Sequence, residues 1–335
     1  MRHRVGLAVL LALFAAGCGT QEVLLGTKGT YVFTVRDQLA RIGDRVPVEA
    51  QLQGGDLIMP LEGRLVYFES NGFRRAALTD GAGVATAHFE PEAAGDVRIR
   101  ASVSPAGMPE APPDPQTLVV ASRPADEPLA IVDLDKTVVA TGFQTVLVGD
   151  PDPMAGSVGV LERLATDHTI VYLTHRPGTF GPKSKAWLWS NGYPRGPVLL
   201  ATIGGFLSGS GTYKTGRLRE LTERFENIDY GIGDKISDAA AYQRNGIQAY
   251  LIVQFPEADK PEPYDTLADR LVTLPDAVQV VTGWDQIERS LFDDASFPRS
   301  AMEDRLREKA DALRREAARV RRERAMKSNN SEDNP

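Results

Sequence analysis

Hydrophobic and polar positions alternate through the early part of the chain, then give way to short unbroken apolar runs separated by helix-favouring stretches. The alternation is seen at Val46 and Val48, at Leu65 and Tyr67, and at Val97, Ile99, Ala101 and Val103, and it predicts strands with one buried face and one wet face. Turn chemistry separates these strands at Gly54-Gly55-Asp56, Asn71-Gly72, Asp80-Gly81 and Ala94-Gly95-Asp96, where glycine supplies positive φ and Asn or Asp bonds its own backbone. Short strands at such regular intervals predict an all-β sandwich over residues 27–122.

Two Pro-rich stretches, Pro105 to Pro115 and Pro124 to Pro128, mark the exit from that unit. Beyond them Leu129 to Leu134, Thr169 to Leu173 and Ile228 to Ile232 are continuous runs too short for helices, as expected of parallel strands buried on both faces. Helical stretches fall between them at Pro182 to Ser190 and Thr215 to Phe225. Residues 127–292 are therefore expected to form an α/β domain around a doubly wound parallel sheet, whose ligands bind outside the carboxyl ends of the strands.

The two ends carry different signals. Residues 299–335 open with Arg299 to Lys327, a helix-favouring segment with eleven Arg or Lys against six Asp or Glu and apolar residues only at sparse positions such as Leu306, Leu313 and Val320. It is expected to be a solvated helix ahead of a disordered tail from Ser328, with a basic excess suited to anionic headgroups. Residues 1–18 combine a basic start, Met1-Arg2-His3-Arg4, an apolar run from Val5 to Phe14 and small residues in Ala15-Ala16-Gly17-Cys18. This pattern resembles a bacterial lipoprotein signal, which implies an acylated Cys18, a lipid-anchored protein of the cell envelope and, with Gly19 next, the outer membrane.

At 335 residues, 42% hydrophobic and 25% charged, the chain can build two apolar cores. Cys18 is its one cysteine, so no disulfide or thiolate metal site is available. A net charge of −7 weighs against general nucleic-acid affinity.

The chemistry-bearing residues sit where the apolar runs end. Asp133 and Asp135 in Asp133-Leu134-Asp135-Lys136-Thr137 share one face of an extended backbone and can address one substrate atom. One carboxylate suits nucleophilic attack on phosphorus and the other proton transfer to the leaving oxygen; Asp133 is read as nucleophile and Asp135 as acid/base. Asp133, Asp135 and Asp234 are the expected carboxylate ligands of Mg²⁺, and Asp238 is expected behind them, holding a metal-bound water or capping the next helix. Thr174 offers a hydroxyl and Lys214 a point charge to the phosphoryl group.

The order Asp-x-Asp, Thr, Lys, Gly-Asp-x-x-x-Asp resembles the haloacid dehalogenase-like hydrolases. Tyr172-Leu173-Thr174-His175-Arg176-Pro177, Lys185-Ala186-Trp187-Leu188, Gly196-Pro197-Val198-Leu199-Leu200 and Asp238-Ala239-Ala240-Ala241-Tyr242 resemble, more closely, the catalytic domain of lipin-type phosphatidate phosphatases, over roughly residues 127 to 255. The resemblance implies a Mg²⁺-dependent phosphatase that turns phosphatidate into diacylglycerol. It also implies a contact from Arg176 to phosphate or headgroup, against the alternative of a solvent-facing loop or helix-capping role. His175 beside it is read first as a loop or capping residue. Lys136 departs from the pattern, since the family usually carries Gly there.

Thr79-Asp80-Gly81-Ala82-Gly83-Val84-Ala85 resembles bacterial immunoglobulin-like modules, for which a spacer role or an envelope partner is expected. The intervals between Asp133, Thr174 and Lys214 leave no room for a large cap domain, and an open site suits phosphates displayed on a membrane. The expected activity is hydrolysis of a lipid phosphate through an aspartyl-phosphate. The alternatives are a general envelope phosphatase acting on soluble or protein-linked phosphates, and a catalytically weak lipid-phosphate sensor.

Overall fold

In β3 (Val46–Gly54) Val46, Val48, Ala50 and Leu52 are buried while Pro47 is exposed, so this strand's period-two pattern is used as the sequence writes it. A computed structural model describes residues 31–55, 58–141, 149–202, 205–206 and 209–332, with side chains to residue 323. Cys18 and the anchor expected of residues 1–18 lie outside the described residues.

The N-terminal all-β region packs two sheets face to face. One joins β3 to β1 (Tyr31–Val35), β4 (Met59–Pro60) and β7 (Val84–Phe89). The other runs β2 (Gln38–Arg41), β9 (Gln116–Arg123), β8 (Gly95–Val103), β5 (Leu65–Ser70), β6 (Phe73–Leu78). Phe33, Val48 and Leu52 from the first meet Val66, Phe68, Ile99 and Leu118 from the second, each buried side chain contributing about 1.5–3 kcal/mol. β5 corrects the expected register: Val66 and Phe68 point into the core, and Leu65 and Tyr67 face outward, where Arg74 stacks over the Tyr67 ring at 5.9 Å. A shift of one residue exchanges the two faces of a strand, and both pairs in this segment are apolar enough to fit either.

The second unit is a six-stranded, wholly parallel sheet in the order β12 (Val198–Ala201), β11 (Thr169–Pro177), β10 (Leu129–Val132), β13 (Ile228–Gly233), β14 (Gln248–Ile252), β15 (Gln279–Val281). The chain leaves β10 for β11 and β12 on one side and then returns to β13 on the other. The carboxyl end of β10 is therefore the switch point at which an open α/β sheet forms its crevice. Helices α1 (Ser157–Leu164), α2 (Gly181–Ser190) and α6 (Trp284–Phe292) cover one face. Helices α3 (Ser210–Thr222), α4 (Ile236–Arg244) and α5 (Glu262–Leu271) cover the other. Gly231 in β13 is required by this packing, because a Cβ there would lie 2.3 Å from the Tyr242 ring of α4. Among the described residues no separate domain interrupts the sheet between β10 and β13.

The C-terminal segment differs from its expected solvated state, and its helix continues past Ser328, the expected start of a disordered tail, to Glu332. In α7 (Arg299–Glu332) Met302, Leu306 and Ala310 are buried in the α/β core, with Leu313 against its edge and α5 as the main neighbour. Apolar residues three to four apart form a stripe narrow enough to be hidden among eleven basic residues in the sequence, yet wide enough to dock one face.

Candidate active site

The backbone N–H of Asp133 donates to Ile232 O at 2.9 Å, which holds the residue after β10 against the end of β13 and leaves Asp133 only 2% exposed. The chain then coils, with the N–H groups of Val138 and Val139 donating to Leu134 O at 3.0 and 2.9 Å. Lys136 adopts φ +56° in this coil, a conformation that glycine takes freely. For a lysine the left-handed backbone costs about 1–2 kcal/mol. Three residues without a motif hold the coil in place. Trp284 Nε1–H donates to Thr137 O at 2.7 Å, Tyr193 OH donates to Val138 O at 2.8 Å, and Ser157 Oγ lies 2.6 Å from that hydroxyl. The only sequence signal for Trp284 and Tyr193 was that a buried Trp or Tyr needs a partner for its polar atom, and Ser157 carried none.

Lys214 does not open its helix. Helix α3 starts at Ser210, preceded by Gly209 at φ +90° without a side-chain cap, so the earlier start carried no Ser, Thr or Asp cap signal at the position before it. Lys214 is thereby turned inward, with 1% exposure of its side chain. Its Nζ lies 2.9 Å from Asp133 Oδ1 and 2.5 Å from Asp238 Oδ2. Burial alone would lower the ammonium pKa; the charges of Asp133 and Asp238 more than reverse this and hold it protonated. Asp238, expected as a helix cap or support for a metal water, makes no capping bond and serves as Lys214's second partner.

Carboxylate oxygens of Asp133, Asp234 and Asp238 all lie within 4.8 Å of one another. Burial first, then the charge of Asp133, raises the Asp234 carboxyl to about 6. Asp234 Oδ1 is buried without a hydrogen-bond partner, an arrangement that costs about 1–3 kcal/mol or more for a charged group unless something binds there. An all-oxygen donor set with one orphaned oxygen, three carboxylates against the ammonium of Lys214 and the nearby charge of Lys235, fits a hard divalent cation.

Asp135, expected among the metal ligands, stands apart from that cluster. Its two oxygens accept from Arg176 Nε at 3.2 Å and Nη2 at 2.8 Å, and Arg176 Nη1 donates to Ser184 Oγ of α2 at 2.9 Å. A guanidinium offers parallel donors that match both carboxylate oxygens, which draws Asp135 toward β11. Arg176 itself is 2% exposed on β11, neither a solvent-facing loop residue nor a cap. Thr174 is fully buried at the same strand, its Oγ accepting from the Arg176 N–H at 3.3 Å. His175 turns away: it stacks on Phe206 at 5.0 Å and its Nε2 lies 3.2 Å from Gly205 O. Burial lowers its pKa, so the ring is neutral near pH 7 and donates to that carbonyl. Ser184 was not singled out in the sequence, because a serine inside a helical stretch carries no signal of its own.

Residues 130–253 match the family model described as PITM 1-3, LNS2 domain, a domain related to the lipin phosphatases and associated with phosphatase activity. No curated protein matches the chain. Among solved structures, the D00-D0 domain of Intimin is 14% identical at a TM-score of 0.22, covering 28% of this chain and 48% of its own. The CARDB domain of a Pyrococcus furiosus protein is 15% identical at 0.21, covering 28% of this chain and 97% of its own. A carbohydrate acetylesterase from Xanthomonas citri is 13% identical at 0.26, covering 66% and 68%. The chain thus spans about half of the Intimin fragment, and at these scores none of the three bears on fold or function.

Proposed function

We propose that this chain is a Mg²⁺-dependent phosphatase with a haloacid dehalogenase-like catalytic domain, acting on phosphatidate or a related lipid phosphate through an aspartyl-phosphate on Asp133. The observation that carries the reading is the buried Asp133 carboxylate, set at the switch point of the sheet between Lys214 and the unpartnered Asp234 oxygen. The LNS2 match over the same residues supports it.

Bound by Asp133, Asp234 and Asp238, Mg²⁺ would neutralise charge on the phosphoryl oxygens. Lys214 adds a fixed positive charge beside the nucleophile, and Thr174 lies at the neighbouring strand for a phosphoryl oxygen. An arriving phosphate dianion competes with Asp135 for the Arg176 guanidinium. Asp135, freed of its cation and facing an anion, then takes up a proton. One oxygen of Asp133 attacks phosphorus, the bond from phosphorus to the leaving alkoxide breaks, and Asp135 gives its proton to that alkoxide. In the second half Asp135 takes a proton from water, the water oxygen attacks phosphorus, and the acyl-phosphate bond breaks to return Asp133 and release inorganic phosphate.

The same proposal places the protein on a bacterial envelope, anchored through Cys18, with the immunoglobulin-like module as the unit available to an envelope partner. A second reading, a lipid-phosphate sensor without turnover, draws on the Arg176 to Asp135 ion pair, which neutralises the acid/base in the resting site. The test is phosphate release from phosphatidate in mixed micelles with Mg²⁺, beside a soluble phosphomonoester and the Asp133→Asn variant. Release from the lipid that vanishes in the variant supports the proposal. Equal release from both substrates would make it a general phosphatase, and binding without release would make it a sensor.

A further inference from the structure

Asp37 lies far from the motifs in sequence, in the two-residue crossing from β1 to β2, yet it is 3% exposed. Its Oδ1 accepts from Lys185 Nζ at 2.5 Å and from the Val119 N–H at 2.7 Å, and its Oδ2 accepts from the Val198 N–H at 3.1 Å. Those donors come from helix α2, from β9 of the sandwich and from β12, the edge strand of the parallel sheet. A carboxylate withdrawn this far from water is tolerated only when its lone pairs are filled, so the three elements are held at one fixed separation.

The surrounding contacts make the junction rigid. Leu39 and Ala121 of the sandwich belong to the α/β core, Arg123 Nε donates to Thr169 Oγ1 at 2.8 Å, and Arg224 Nη2 donates to Asp44 Oδ2 at 2.9 Å. β1 also packs on the turn Gly178–Phe180 that leads from β11 into α2. A sandwich that served only as a spacer would need none of these.

Lys185 and Ser184 are neighbours on α2. Lys185 binds Asp37, and Ser184, 1% exposed, accepts from Arg176 Nη1, while the same guanidinium grips Asp135. Helix α2 has no side-chain cap at its start, so its placement comes from what it packs on. We infer that Asp37 is a positioning residue: through Lys185 and β12 the sandwich fixes helix α2, and helix α2 sets the Arg176 guanidinium that orients Asp135. The chemical consequence rests on the phosphatase reading; the chain of contacts does not.

The test is Asp37→Asn in the full chain, with the Arg176 side-chain Nε–H resonance followed by ¹⁵N NMR and assigned through Arg176→Lys. Asparagine keeps the shape and one acceptor but removes the charge that holds Lys185. The expected result is a moved Arg176 resonance with faster solvent exchange, while that of Arg75, on the far edge strand β6, stays in place. Where phosphate release is measurable, kcat/KM falls roughly 10- to 100-fold, the scale of a small misplacement of reacting groups. Should Asp37→Asn not fold, Lys185→Gln gives the same readout with Asp37 still held by two backbone N–H groups. A folded variant whose Arg176 resonance is unmoved overturns the inference. A moved resonance in a protein that releases no phosphate leaves the positioning role standing and overturns the phosphatase reading.

Discussion

Lys214 Nζ sits 2.9 Å from Asp133 Oδ1 in a site where both side chains are almost completely withdrawn from water. The ammonium is shared with Asp238 at 2.5 Å, while Asp234 keeps one buried oxygen without a hydrogen-bond partner. Replacing it by Lys214→Met leaves buried like charges, and loss of one partner from a buried pair costs about 3–5 kcal/mol. Thermal unfolding should show this drop, and Mg²⁺ should restore more stability to the variant than to the parent chain.

The Asp234 carboxyl, raised to about 6 from the ordinary 3.8, gives a signed pH dependence. The folded, metal-free protein holds a proton that the unfolded chain has released, so this group's contribution to stability is lost as pH rises from near 4 through about 6. Mg²⁺ competes with that same proton. The metal-induced rise in Tm should therefore be small below pH 6 and grow above it, and Asp234→Asn should abolish most of the growth; titration of Tm with Mg²⁺ at several pH values checks it.

Arg176 makes two parallel bonds to Asp135 and a third to Ser184. Lysine keeps the charge but not the fork. Arg176→Lys should remain folded, raise KM for the phosphate substrate and lower kcat, together reducing kcat/KM by roughly 10- to 1000-fold at about 1.4 kcal/mol per decade.

Much of this arrangement was legible because strand ends carry position: the apolar runs ending at Asp133, Thr174 and Asp234 become β10, β11 and β13, neighbours in one sheet. What was not legible depends on long-range packing. Nothing local distinguishes Asp135 as a partner of Arg176 from Asp135 as a metal ligand, since both uses demand a carboxylate at that position. Asp37 and Val198 are brought together only by the docking of two domains. The inward face of β5 was misread because Leu65, Val66, Tyr67 and Phe68 are all apolar, which removes the alternation that fixes register.

Lys136 at φ +56° should accept glycine with little change in fold. Relief of about 1–2 kcal/mol of backbone strain is offset by about 0.5–1 kcal/mol of extra chain entropy in the unfolded state. Urea unfolding of Lys136→Gly should show equal or slightly higher stability, and a large loss would contradict the assigned backbone.

Helix α7 is docked through Met302, Leu306 and Ala310. Truncation before Met302 strips all three from the core and should lower Tm. Loss of the two larger side chains alone should cost several kcal/mol, at about 1.5–3 kcal/mol each.

The central claim is that Asp133 becomes phosphorylated during turnover. Acid quenching of the protein with a radiolabelled phosphate monoester and Mg²⁺, followed by peptide mapping, tests it directly. A hydroxylamine-sensitive label is expected on the peptide carrying Asp133, absent from Asp133→Asn and from samples without Mg²⁺. Phosphate release at an undiminished rate from Asp133→Asn, or release from the parent chain with the label on another residue, would contradict it.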